Sequence, residues 1–184
     1  MPAMTTFASG SEPPLAARWS PSTTVAAIID DGGQPPRYLL VEERTPEGLK
    51  LNNPAGHLDA GETPEQGVVR ETLEETARVF VPEALLGVYL SRFVRPATGE
   101  DVTYLRFAYA GRVGDPVAGR LLDSPIERTL WMTLGEIRAA APRLRSELVL
   151  RCVLDHAAGV RHPLAVVADD GTLRAPAVKG GKAG

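Results

Sequence analysis

Short apolar runs separated by turn residues mark the first part of the chain. The run from Val25 to Ile29 is bounded by Asp30-Asp31-Gly32-Gly33, which predicts a buried strand and a turn. Residues 37–42 read as its hairpin partner, and 43–50, with Pro46 and Gly48, as a polar loop. The period then changes. Thr63 is a good N-cap, Pro64 suits the first helical position, and Gln66 completes a capping box. A helix is predicted from Pro64 to Ala77 or Arg78, with Val69, Leu73 and Ala77 as its apolar stripe.

Further on, the pattern predicts a strand over 88–93, a turn over 96–101 and a strand over 103–111, rich in aromatic residues. A loop at 114–119 and a strand around Trp131 follow. Short helices are expected over 134–140 and 146–156, the first stopped by Pro142, and a last strand over 163–167. Residues 1–20 read as a flexible arm whose end Trp19 anchors, residues 21–168 as one domain, and 169–184 as a flexible tail. Mixed strands with interspersed helices give an α/β or α+β domain, without internal repeats.

Composition narrows the class. The 184 residues suffice for one ordinary core, and 43% hydrophobic with 23% charged residues is usual for a soluble globular chain. A net charge of −3 gives no basic excess for nucleic acid. Cys152 is the single cysteine, so no internal disulfide forms, which fits a reducing cytoplasm. No apolar run approaches the roughly 20 residues of a membrane span, and no signal-peptide pattern opens the chain.

Chemistry concentrates in the stretch from Gly56 to Ala77. Glu71, Glu74 and Glu75 lie three and four apart on one side of the predicted helix. Their repulsion weakens a helix unless a cation sits among them, and carboxylates are hard ligands suited to Mg²⁺ or Mn²⁺. Acidic helix faces are commonly just solvated, but here the flanks change the weighing. Arg70 can pair with Glu74 one turn on. Gly56 and Gly61 mark a bent loop where carbonyls can approach an ion and the helix N-terminus can face phosphate.

This stretch resembles the box of the Nudix family, G-x5-E-x7-R-E-U-x-E-E-x-G-U, where U is a bulky aliphatic residue. Gly56, Glu62, Arg70, Glu71, Glu74 and Glu75 fall at the required spacings. Thr72, Ala77 and Arg78 depart from it. Ala77 in place of glycine argues against a left-handed cap there and for a helix running on toward Val81. The resemblance covers residues 24–167 and implies a Nudix-type α/β/α sandwich with a mixed β-sheet.

It also implies a metal site formed by Glu71, Glu74, Glu75 and the Gly56 carbonyl, with Mg²⁺ (or Mn²⁺) as cofactor. Glu74, Glu75, Arg70 and Glu62 form the expected catalytic set. Arg70 orients a glutamate, and Glu62 either meets the metal through water or fixes the loop. The general base is open among Glu74, Glu75, Asp123 and Glu127. His57 is a candidate for phosphate contact, against the commoner structural role of a lone loop histidine. His156 and His162 have no partner motif. Tyr104 is a candidate for stacking a ring, and Phe107 leans toward the core.

Finer features point to one branch. Pro54-Ala-Gly-His-Leu58, Trp131-Met-Thr133, Leu144-Arg-Ser146 and Arg161-His-Pro-Leu164 are similar to the phosphatases of hydroxymethylpyrimidine pyrophosphate and thiamine pyrophosphate, which also hydrolyse nucleoside tri- and diphosphates. The expected partner is thus a small pyrophosphate or nucleotide, handled by a cytoplasmic monomer or homodimer. One alternative is ADP-ribose hydrolysis. The proline expected downstream in that branch is Phe93 here, with Pro96 the nearest. Another is nucleotide sensing without catalysis, although domains of that kind generally lose box glutamates.

Overall fold

A computed structural model describes residues 19–95 and 98–173. Two sheets and three α-helices make up the domain, an α+β arrangement with helices packed on a mixed sheet. In chain order the elements are β1 (Ser22–Ile29), β2 (Arg37–Thr45), β3 (Gly48–Asn52), β4 (Ala55–His57), α1 (Pro64–Thr76), β5 (Phe80–Val94), β6 (Asp101–Val113), β7 (Ile126–Thr133), α2 (Leu134–Ala139) and α3 (Glu147–Ala157). One sheet has the order β4-β1-β6-β5, with β1 parallel to β6 and the other pairs antiparallel. The second has the order β3-β2-β7 and is antiparallel.

Strand β1 shows how the layers form. It is buried on both faces, so its apolar run is continuous rather than alternating. Val25, Ala27 and Ile29 meet Val68 of α1, Phe80 and Tyr109 in one core. Ala26 and Ile28 face the other way, toward Ile137 of α2 and Val149, Cys152 and Val153 of α3. The four-stranded sheet therefore lies between α1 and the α2–α3 pair.

Several sequence expectations are corrected. β2 is not the hairpin partner of β1. It is the central strand of the second sheet and pairs beside β1's end through the Asp30–Tyr38 bridge and the Asp31 N–H donated to the Arg37 carbonyl at 3.0 Å. Leu39, Leu40 and Val41 are all buried, and a strand buried on both faces gains most at the centre of its own sheet. The predicted loop at 43–50 is a β2–β3 hairpin, closed by the Thr45 hydroxyl on the Gly48 carbonyl at 2.8 Å.

Helix α1 keeps its predicted start, with the Thr63–Gln66 capping box formed. Its buried positions are Gly67, Val68, Thr72 and Thr76, with Ala77 of the expected stripe buried at the cap, Val69 packed partly buried on the same core and Leu73 half-buried. Threonines suit buried positions here because their hydroxyls donate to carbonyls one turn back, Thr72 to Val68 at 2.7 Å and Thr76 to Thr72 at 2.6 Å. The helix stops at Thr76 instead of reaching Val81. Ala77 adopts a left-handed conformation, φ 54°, which costs an alanine about 1–2 kcal/mol. Burial of Ala77 and the Val117 N–H donated to its carbonyl at 2.7 Å offset that cost. β5 consequently begins at Phe80 and includes Pro82, which an edge strand tolerates.

The expected strand at 163–167 is a 3₁₀ turn, Leu164–Val166. Trp19, expected to anchor the arm, is 73% exposed among the described residues. Residues 1–18 of the expected arm, residues 174–184 of the expected tail and Pro96-Ala97 of the expected turn lie outside the described residues.

Candidate functional site

Arg70 of α1 is the hub of the acidic stretch. Its Nε donates to Glu62 at 2.7 Å, Nη1 to Glu71 at 2.8 Å and to Glu74 at 3.0 Å, and Nη2 to the His57 carbonyl at 2.9 Å and to Glu62 at 3.0 Å. One guanidinium thus joins the end of β4, the loop and two turns of helix. The Glu74 contact follows from helical spacing. The Glu62 contact exists because the loop folds back, turning at Gly61 with φ 85°. Glu62 also accepts the Asp59 N–H at 3.2 Å. These bonds hold the Glu62 carboxyl below its ordinary pKa, and Glu62 foremost, with Glu71, holds Arg70 firmly charged.

Gly56 faces Glu71. A Cβ on Gly56 would fall inside the Glu71 carboxylate, so the glycine is required by space alone. Glu75 points to the other side of the hub and accepts the Ala55 N–H at 2.8 Å. Burial pushes its carboxyl up to about 8, helped by the charges of Glu71 and Glu43 and opposed by the Ala55 bond. Burial likewise raises Glu71, against Arg70.

This donor set fits a divalent cation. The Arg70 and Ala55 bonds occupy one oxygen each of Glu71, Glu74 and Glu75, leaving the other for a hard ion. The Gly56 backbone lies against Glu71 with no side chain between. As they stand, no three His, Cys, Asp or Glu side chains converge on one point among the described residues. Glu71 and Glu74 turn toward Arg70 while Glu75 turns toward Ala55, so a shared cation requires small re-aiming of these side chains.

The remaining candidates fall in different places. Asp123 lies beside the last turn of α1, its N–H donating to the Glu74 carbonyl at 3.0 Å. Glu127 is paired with Arg44 across β2 and β7 at 2.8 Å. His57 is exposed, its ring 6.4 Å from that of Tyr104. Phe107 packs against the α1-side core. His156 is buried against Tyr38, Asp30 and Arg161, and the His162 backbone bridges Leu85.

Sequence reasoning missed one group. Beside Gly56 opens a cavity of about 670 Å³ whose wall includes Thr24, Asn52 and Arg106, together with Tyr104, the residue already expected to stack a ring. The available signal was Arg106 itself, a cation two residues before Ala108 on the face of β6 that feeds the core.

The NUDIX domain family matches residues 20–152. Phosphatase NudJ of Escherichia coli (strain K12) is 30% identical over 151 residues, covering 82% of this chain and 93% of that protein. A solved NUDIX hydrolase from Nitrosomonas europaea is 43% identical with a TM-score of 0.72, covering 82% of this chain and 97% of that one. The NUDIX domain of Shewanella oneidensis NrtR, solved with ADP ribose, shares the fold at 18% identity and a TM-score of 0.61, covering 77% of this chain and 90% of that one.

Proposed function

The chain belongs to the Nudix family, and on that premise we propose that it hydrolyses a pyrophosphate bond in a nucleoside di- or triphosphate or in hydroxymethylpyrimidine or thiamine pyrophosphate. The observation that carries this reading is the Arg70 hub, which gathers Glu62, Glu71 and Glu74 beside Gly56 with all the family's carboxylates present. Likeness to a phosphatase over most of both chains supports it.

Gly56 through its carbonyl, with Glu71, Glu74 and Glu75, would hold Mg²⁺ or Mn²⁺. When bound, the ion supplies positive charge against the charge developing on phosphate and a template for in-line attack. Arg70 aims Glu71 and Glu74 through its Nη1, a charge-assisted clamp of the kind that orients metal ligands. Glu62 fixes the loop through Asp59 and steadies Arg70. Glu75, held by Ala55, anchors the deep side. Glu74 is the more exposed of the two carboxylates suited to the base role and has an oxygen not used by Arg70. In that role this oxygen takes the proton of the attacking water instead of contacting the ion, which Gly56, Glu71 and Glu75 would then hold.

The test is release of phosphate and pyrophosphate from hydroxymethylpyrimidine pyrophosphate, thiamine pyrophosphate, the nucleoside phosphates and ADP-ribose. It is run with Mg²⁺, with EDTA, and with Glu74→Gln. Turnover within the first three groups, abolished by EDTA and strongly cut by Glu74→Gln, is expected. Turnover of ADP-ribose alone would replace the substrate class, and nucleotide binding with no turnover at all would make the domain a sensor.

A further inference from the structure

Across the four-stranded sheet His57, Thr24, Arg106 and Tyr89 stand in register, so their side chains share one face. The next row on that face contains Ala55, Ala26 and Ala108, which belong to or pack on the core under α2 and α3. The core therefore ends, and the cavity begins, between these two rows.

The cavity wall is polar in an unusual way. Thr24 Oγ1, Asn52 Oδ1, and Arg106 Nε and Nη1 are all buried without a hydrogen-bond partner, and all three residues line this one space. Glu43 lines it too, but its carboxylate takes the Asn52 Nδ2 at 3.2 Å and faces Arg145 at 3.5 Å. No ion pair within 4.0 Å is formed by Arg106 among the described residues, although the charges of Glu75 and Glu43 act on it from farther off. A buried cation and a buried amide oxygen left unmatched both cost stability. A ligand that accepts from the one and donates to the other removes both costs.

Resting on the hydrolase reading above, we propose that this cavity selects the head of the substrate: an uncharged planar heterocycle carrying a carbonyl or ring-nitrogen acceptor for Arg106 and an N–H donor for Asn52. Tyr104 and His57 stand at the same wall as flat surfaces for the ring. Gly56 lies at the cavity edge, so the phosphates reach the glutamates while the head stays at Arg106. A head with a fixed positive charge, such as a thiazolium, is disfavoured because it offers the guanidinium repulsion where Arg106 Nε and Nη1 lack an acceptor.

The experiment compares three monophosphates differing in their heads: uridine 5′-monophosphate, thiamine monophosphate and headless ribose 5-phosphate. Binding is measured by calorimetry to the full chain and to Arg106→Gln. The wild type is expected to bind the uridine compound at least about 10-fold more tightly than either other probe, the range of a hydrogen bond to a charged group. Arg106→Gln should lose that preference and, without ligand, melt at a higher temperature than the wild type. A wild type without the preference, a variant that keeps it, or a variant that melts lower would overturn the proposal. Should Arg106→Gln not fold, Asn52→Leu must lose the same preference for the proposal to stand. Binding needs no turnover, so the two readings fail separately. A preference lost in the variant stands even if the wild type hydrolyses nothing. An active wild type whose binding ignores the head retains the hydrolase reading and rejects this one.

Discussion

The carboxylate of Glu71 fills the space that a side chain on Gly56 would occupy. A side chain at position 56 must therefore displace the Glu71 carboxylate, although the two residues lie in different elements, β4 and α1. Gly56 carries no positive φ, so the requirement is steric and not conformational.

Gly56→Ala should therefore act as a mutation of Glu71. The alanine methyl drives the carboxylate away while the rest of the fold stays in place. The Mg²⁺ concentration for half-maximal turnover is expected to rise about 10- to 100-fold, the usual effect of disturbing the groups that orient a ligand. A metal titration of activity checks this, with circular dichroism to confirm an unchanged fold.

Arg70→Lys keeps the charge and loses the fork. An ammonium cannot reach Glu62, Glu71, Glu74 and the His57 carbonyl together. The expected loss is about 1.5–3 kcal/mol in urea unfolding, the scale of bonds to charged groups, reduced by the partial exposure of the side chain. Turnover should fall with it.

His156 sets an acid limit on stability. Arg161 Nη2 lies 2.6 Å from His156 Nε2, and a guanidinium can only donate, so Nε2 accepts and the ring is neutral. Burial, with Arg161, lowers its pKa below the ordinary 6.5, against the opposing pull of Asp30 at 3.6 Å. The unfolded chain then binds a proton that the folded chain refuses, so stability is full above about 6.5 and falls as pH drops below it. His156→Phe should flatten that part of the profile in thermal melts between pH 7 and 5, and an unchanged slope would reject the assignment.

The parts of the site legible in the sequence were those set by local spacing. The Thr63–Gln66 box is a contact three residues long, and it formed as expected. The Arg70–Glu74 contact is one turn of helix. The parts not legible were set by the fold. Ala77 closes α1 because Val117, forty residues on, binds its carbonyl, and no local rule favours alanine there. Residues 25–29 and 37–42 look alike as adjacent apolar runs, yet they lie at the centres of different sheets because each needs cover on both faces. Arg106 joins a cavity wall only because β1, β3 and β4, distant in sequence, supply the residues around it.

The parallel pairing of β1 with β6 has a consequence for how the chain reaches this state. Roughly eighty residues separate Thr24 from Arg106, and contacts of that span form slowly because the intervening loop must first be closed. The glutamate helix can form early from local signals, but the cavity wall is complete only when the last-made half of the sheet docks. A chain still emerging from synthesis would carry the residues of the acidic helix before the row from His57 through Thr24 and Arg106 to Tyr89 could assemble, so that row arrives only with the closing of the sheet.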